Sequence, residues 1–247
     1  MQLKITPKVG PRYWTAILIA SMCGANFGDV FPDVLKLSTG LGLLVLIAMF
    51  AAIALADRLT RQGSEAFYWL SILAVRAAAT NIADFSIGEA HLGYGPVAAV
   101  LAALLAGLVL MHRGSGPTAS TGDLPPTNGF YWLTMLTAGA LGTIMGDGIG
   151  HAFAPVSLGV PISAGMGMLA MALMLGARTG LKWTTAAAYW ITVVVVRWLG
   201  TNLGDILAFF VGLTVSMALT GLALVLVLVL WRAPSTDRSD KAWPLTV

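Results

Sequence analysis

The chain has 247 residues, 57% of them hydrophobic and 10% charged, with a formal net charge of +3 and a mean hydropathy of +0.84. Soluble domains carry about 25% charged residues, so the composition excludes an ordinary water-soluble domain and points to a polytopic membrane protein. The small positive excess lies mostly in short loops, where it reports membrane orientation and gives no sign of a nucleic-acid partner.

A helix needs about 20 residues to cross a bilayer. After a basic cytoplasmic tail, 1–12, eight such segments follow: 13–32, 38–57, 66–88, 95–112, 129–150, 155–177, 184–207 and 209–231. The first carries Asn26 and Asp29 and reads as a retained span rather than a signal peptide. Cys23 is the only cysteine, which excludes an internal disulfide and reads as a small packing residue. The third and seventh segments contain Arg76 and Arg197 and are expected to be the least apolar. The even-numbered segments are expected to be free of charge along their spans and read as an outer wall. Residues 113–128, rich in Gly, Ser, Thr and Pro, read as a flexible cytoplasmic linker between two four-helix halves, 13–112 and 129–232. A polar tail, 233–247, follows.

Eleven basic residues fall on one side: Lys4, Lys8, Arg12, Arg58, Arg61, Arg113, Arg178, Lys182, Arg232, Arg238 and Lys241; the opposite loops hold only Lys36. The positive-inside rule puts both termini in the cytoplasm of a bacterial inner-membrane protein.

One pattern recurs four times. Tyr13-Trp14, Tyr68-Trp69, Tyr131-Trp132 and Tyr189-Trp190 are followed by Asp29, Asp84, Asp147 and Asp205, each fifteen residues after its Trp. Such spacing predicts one two-helix unit used four times, all-α and in parallel orientation, related by an axis along the membrane normal. At 1.5 Å per residue each Asp stands about 22 Å beyond its Trp. The Tyr-Trp pairs are expected at the inner interface, as an aromatic belt. The aspartates are expected in the outer part of the bilayer, at a depth where acids are costly and usually functional, with Arg76 and Arg197 nearer the middle.

The motifs align in detail. They read Gly24-Ala25-Asn26-Phe27-Gly28-Asp29, Ala79-Thr80-Asn81-Ile82-Ala83-Asp84, Gly142-Thr143-Ile144-Met145-Gly146-Asp147 and Gly200-Thr201-Asn202-Leu203-Gly204-Asp205. Seven residues after the Trp stand Ser21, Arg76, Gly139 and Arg197. The chain resembles a family of bacterial membrane proteins described only as a repeat of unknown function. That repeat opens on Tyr-Trp or Phe-Trp and closes a small-residue stretch with Gly-Asp or Ala-Asp. Tyr189-Trp190, Arg197 and the 200–205 motif match best, and the likeness covers most of residues 11–210. It departs at Cys23-Gly24-Ala25-Asn26, where the family carries an acid and Thr. The resemblance implies no biochemical activity.

Residues three and four before each Asp share its helical face. Asn26, Asn81, Asn202, Thr80, Thr143 and Thr201 therefore make polar stripes expected to converge with the aspartates on one site. Four acids against Arg76 and Arg197 leave two negative charges, which a divalent cation or protonation would balance. Asp33 follows Asp29 by four residues and His151 follows Asp147 by four, so Asp29, Asp33, Asp147 and His151 are candidate metal ligands suited to manganese, iron or zinc. Glu89 and His91 are further candidates from a loop; Asp33, His151, Glu89 and His91 alternatively read as solvated loop positions. The aspartates and arginines alternatively read as a structural ion-pair network.

The expectation is a secondary transporter or channel for a cation, a divalent metal such as manganese ahead of a proton. The alternatives are a proton-coupled carrier of a small anionic metabolite held by Arg76 and Arg197, and a non-transporting membrane sensor or scaffold. No nucleotide loop, nucleophile–base pair or haem motif is present, so no enzyme and no covalent cofactor is expected. The expected partners are the lipid bilayer and a small ion or small-molecule substrate, with homo-oligomerisation left open.

Overall fold

The computed structural model describes residues 2–111, 117, 122–181, 185–231 and 235–237. Most of the linker, the end of the tail, and Arg113, Lys182, Arg232, Arg238 and Lys241 lie outside the described residues.

A short strand, β1 (Ile5–Pro7), precedes eight helices: α1 (Pro11–Asp29), α2 (Thr39–Leu59), α3 (Glu65–Asp84), α4 (Tyr94–Met111), α5 (Gly129–His151), α6 (Val156–Gly180), α7 (Ala186–Val211) and α8 (Leu213–Leu230). β1 pairs antiparallel with β2 (Ser235–Asp237). Local chemistry sets the helix starts. Pro11 occupies the first turn of α1, where its missing N–H costs nothing. Asn128 accepts from Tyr131 N at 3.0 Å and Thr185 from Ala188 N at 3.2 Å, as N-caps do. α1 and α3 do not stop at their aspartates. Each widens into one π-helical turn, Val30–Val34 and Phe85–Glu89.

Seven helices are long and apolar enough to cross a membrane: all but α5 among the described residues. The chain is therefore a multi-pass helical membrane protein. The expectation that the third and seventh spans are the least apolar is corrected, because α5 spends its sequence on glycines, threonines, Asp147 and His151 instead.

α1, α3, α5 and α7 pack in a closed ring, each touching two others of the set. α2 lies against α3, α4 against α5, α6 against α7 and α8 against α1. The inner helices bury most of their length, whereas α2 buries only Gly42, Leu46 and Asp57 and α8 only Ser216, Thr220 and Leu224. Leu44, Leu55, Val100, Leu169, Leu222 and Val229 are exposed on the outer helices, an apolar surface of the kind lipid covers. The outer helices are not free of charge, as the sequence suggested. Asp57 is 1% exposed and accepts from Lys4 N at 3.3 Å, and Arg58 and Arg178 close α2 and α6.

The stretch before α1 is folded onto the bundle. Leu3 and Thr6 are buried, Leu3 N donates to Thr127 Oγ1 at 2.9 Å and Val9 N to Gly122 O at 2.7 Å. The described end of the linker, 122–128, is held by these bonds against the end of the bundle that carries the Tyr-Trp pairs.

Candidate functional site

Every inner helix presents one row of side chains spaced four residues apart. The rows read Tyr13, Ile17, Ser21, Ala25, Asp29 on α1; Tyr68, Ile72, Arg76, Thr80, Asp84 on α3; Tyr131, Met135, Gly139, Thr143, Asp147 on α5; and Tyr189, Val193, Arg197, Thr201, Asp205 on α7. Residues four apart form a ridge inclined to the helix axis, and packing tilted helices along such ridges keeps each row inside. The interior is thus five stacked layers: tyrosine, aliphatic, arginine, threonine and aspartate.

The tyrosine layer corrects the aromatic-belt expectation. The four tyrosines are 0–3% exposed and their tryptophans 1–6%, so the pairs face the axis, not the lipid interface. Tyr13 OH lies 2.7 Å from Tyr189 OH and 3.1 Å from Tyr68 OH, and Tyr68 OH 2.7 Å from Tyr131 OH. Each Trp packs on the Tyr of a neighbouring helix, Trp69 on Tyr13, Trp14 on Tyr189, Trp190 on Tyr131 and Trp132 on Tyr68, at 5.6–6.1 Å between centroids. The contacts close a circle. Buried Tyr and Trp demand partners for their polar tips, and the tyrosines satisfy one another. Ile17, Ile72, Met135 and Val193, all 0% exposed, sit one turn above.

The arginine layer holds two fully buried cations with neutral partners. Arg76 donates to Thr80 at 2.8 Å, to Thr143 at 2.7 Å and to Thr201 at 2.6 Å. Arg197 donates to Ser21 at 2.8 Å and contacts Met135 Sδ at 3.3 Å. The two guanidiniums therefore diverge, Arg76 toward the aspartates and Arg197 toward the tyrosines. Among the described residues neither forms a salt bridge, and the Nε of each is buried without a hydrogen-bond partner. Glycines make room for the stems: a Cβ at Gly24 would meet Arg76 Cγ at 2.7 Å, and one at Gly142 would meet Arg197 Cβ at 2.5 Å.

Asp29, Asp84, Asp147 and Asp205 are only partly buried. Among the described residues none of the four carboxylates makes a hydrogen bond or an ion pair. They act on one another electrostatically, and all four feel Arg76. They form one layer of acidic side chains, one turn beyond the threonines that Arg76 bonds.

The polar stripe divides. Residues three and four before the Asp differ by about 100° around the helix, and only the threonines face the axis. Asn26 Nδ2 donates to Ser216 Oγ of α8 at 2.6 Å. Asn202 lies 2.7 Å from Ser163 Oγ of α6; with its amide oxygen toward that hydroxyl it also accepts from Trp198 Nε1 at 3.1 Å. Asn81 bonds the Ala77 carbonyl of its own helix at 3.3 Å. As placed, the asparagines fasten or face outer helices and do not share the threonine layer. Ser163 and Met135 are site neighbours that the sequence did not single out, and Ser21, aligned with the arginines, had no role assigned. Their signal was positional: Ser21 and Met135 lie on the four-residue rows.

The proposed metal ligands are not gathered. Among the described residues no three His, Cys, Asp or Glu side chains group closely enough to hold a metal ion. Asp33 is exposed and lies in the π-helical turn, where a spacing of four no longer returns to the face of Asp29. His151 does remain helical, but its Nδ1 bonds the Asp147 carbonyl at 2.8 Å and its ring stacks on Tyr94 at 5.7 Å. Glu89 bonds Thr39, and Glu89 and His91 are exposed.

A helical membrane protein with a charged, layered interior is the class these features define. Residues 12–62, the first Tyr-Trp unit with its following helix, match the family model described as Repeat of Unknown Function (DUF347). The matched stretch includes the unit in which Ala25 replaces the threonine. No curated protein and no solved structure matches the chain.

Proposed function

We propose that the protein is a secondary transporter or channel for a small cation, built from four parallel two-helix repeats as eight spans of a bacterial inner membrane, with both termini cytoplasmic. One observation carries the reading: four carboxylates from four helices share one end of the bundle, free of ion pairs among the described residues, above a buried guanidinium. Such acids inside a membrane protein mark ion or proton routes. The aspartate layer attracts the cation. Arg76, donating to three threonines, is the counter-charge that limits how many cations enter. The buried aliphatic layer and the tyrosine circle close the opposite end.

A divalent ion such as manganese and protons would each offset the excess of acids over buried arginines, and we put manganese first. Such an ion enters with part of its water, since cations of this kind shed water reluctantly, and needs no three-ligand cage among the aspartates. The test is ion entry into sealed liposomes carrying the purified protein, with indicators for manganese and for pH. Entry of either ion above that of empty liposomes supports the reading; liposomes impermeable to both overturn it in favour of a sensor or scaffold.

A second reading has its own support. Two buried guanidiniums with neutral partners and unpartnered Nε atoms are what an anionic substrate group would complete. In that case the aspartates carry protons and Arg76→Gln or Arg197→Gln abolishes anion binding. Manganese binding retained by both variants selects the cation.

A further inference from the structure

We propose that the crevice between α1 and α6 at the Tyr-Trp end binds one anionic phospholipid, its phosphate on Arg178 and an acyl chain along the helices. The crevice has a volume of about 530 Å³ and is walled by Pro11, Trp14 and Leu18 of α1 and by Met171, Leu175 and Arg178 of α6. It opens on the apolar surface of the bundle, where lipid is the solvent. Its walls are apolar apart from Thr15 of α1 and the end of α6, where Thr179 stands and the Arg178 guanidinium lies over the Trp14 ring at 5.2 Å. Arg178 makes no salt bridge among the described residues, and its Nη1 is buried with no hydrogen-bond partner. A guanidinium stacked on one face and unsatisfied along its edge is the geometry that accepts a phosphate in two parallel bonds.

A smaller crevice of about 260 Å³ lies among α2, α3 and α5, walled by Leu46, Phe50, Val75, Trp132 and Leu136. There the Trp132 ring meets Phe50 edge-on at 5.2 Å. That crevice has apolar walls and no cation in its lining; Arg58 lines the separate shallow site beyond Phe50. The difference commits the α1–α6 site to a headgroup with net negative charge. Lys8 and Arg12, at the same end of the bundle, are paired with Asp123 at 3.9 Å and Glu65 at 2.6 Å, so Arg178 is the cation that lines the crevice.

The test is native mass spectrometry of the detergent-purified protein with phosphatidylglycerol or phosphatidylcholine of identical chains. The wild type is expected to retain one phosphatidylglycerol about fivefold more tightly, the effect of roughly one basic residue. Arg178→Gln removes that preference. Leu175→Trp keeps the guanidinium but fills the crevice, and loses phosphatidylglycerol too; Arg58→Gln keeps it. Equal retention of both lipids by the wild type overturns the proposal. So does undiminished phosphatidylglycerol retention by Arg178→Gln and Leu175→Trp, or its full displacement by glycerol phosphate, which would make the occupant an anion without chains. Ion flux does not enter the readout, so this outcome is independent of the transport reading.

Discussion

The hydroxyls of Tyr13 and Tyr189, 176 residues apart in the chain, meet at 2.7 Å. The bond ties α1 to α7 and joins the first inner helix to the last. Tyr13 also bonds Tyr68, so it holds the middle of the tyrosine layer. Interhelical hydrogen bonds in membrane proteins average about 0.6 kcal/mol. Tyr13→Phe, which removes two, is expected to cost about 1 kcal/mol and to lower the melting temperature in detergent. Trp14→Phe keeps the hydroxyl pair and should leave the Tyr13–Tyr189 coupling measurable in a double-mutant cycle.

Close helix approach makes a second prediction. A Cβ at Gly142 would stand 2.5 Å from Arg197 Cβ and 2.9 Å from the Val194 carbonyl, whereas one at Gly165 meets nothing within 4 Å. Gly142→Ala should destabilise by about 1–3 kcal/mol, the usual cost of overpacking. Gly165→Ala, inside α6, should be neutral or stabilising, because alanine favours the helix by up to about 1 kcal/mol. Thermal unfolding of the two variants side by side checks the contrast.

Arg76 provides the third. Its three threonine partners each keep a second bond, Thr80 to the Arg76 carbonyl, Thr143 to that of Gly139 and Thr201 to that of Arg197. Removing the guanidinium therefore strands no hydroxyl donor. Replacing a buried charge by an apolar side chain of similar volume is often neutral or stabilising. Arg76→Met should fold with a stability within about 2 kcal/mol of the wild type and admit cations faster. Unchanged cation entry would remove Arg76 from the path.

Ser163 links the outer wall to the inner ring. Its hydroxyl lies 3.1 Å from the Gly146 carbonyl, 2.9 Å from Trp198 Nε1 and 2.7 Å from the Asn202 amide. Ser163→Ala leaves buried polar groups short of a partner and should cost about 1–3 kcal/mol. It leaves the charged layers in place, so the ion preference should not move. Melting temperature and relative ion flux, measured together, separate the two effects.

The helices themselves were legible from the sequence. Composition and the repeat placed all eight within a few residues of their observed bounds, because a membrane demands long apolar runs. The register of the four aspartates was legible for the same reason. What failed was the direction each side chain faces. Thr80 and Asn81 are neighbours in sequence, but about 100° of rotation sends one to Arg76 and the other away. Tyrosine beside tryptophan reads as an interfacial pair until the inner helices are seen to cross along four-residue ridges, which turns both rings inward. Asp33 escaped because no residue pattern announces the π-helical turn after Asp29. Asp57, near the end of a long apolar run, gave no hint that the Lys4 backbone would cover it.

The central claim is that the aspartate layer lies on the route of the ion. It is tested most directly by manganese and proton entry into proteoliposomes carrying the wild type, Asp147→Asn or Asp147→Glu, with melting temperatures matched. The account predicts entry in the wild type, at least a tenfold loss in Asp147→Asn and substantial recovery in Asp147→Glu. Entry through Asp147→Asn at the wild-type rate would contradict it.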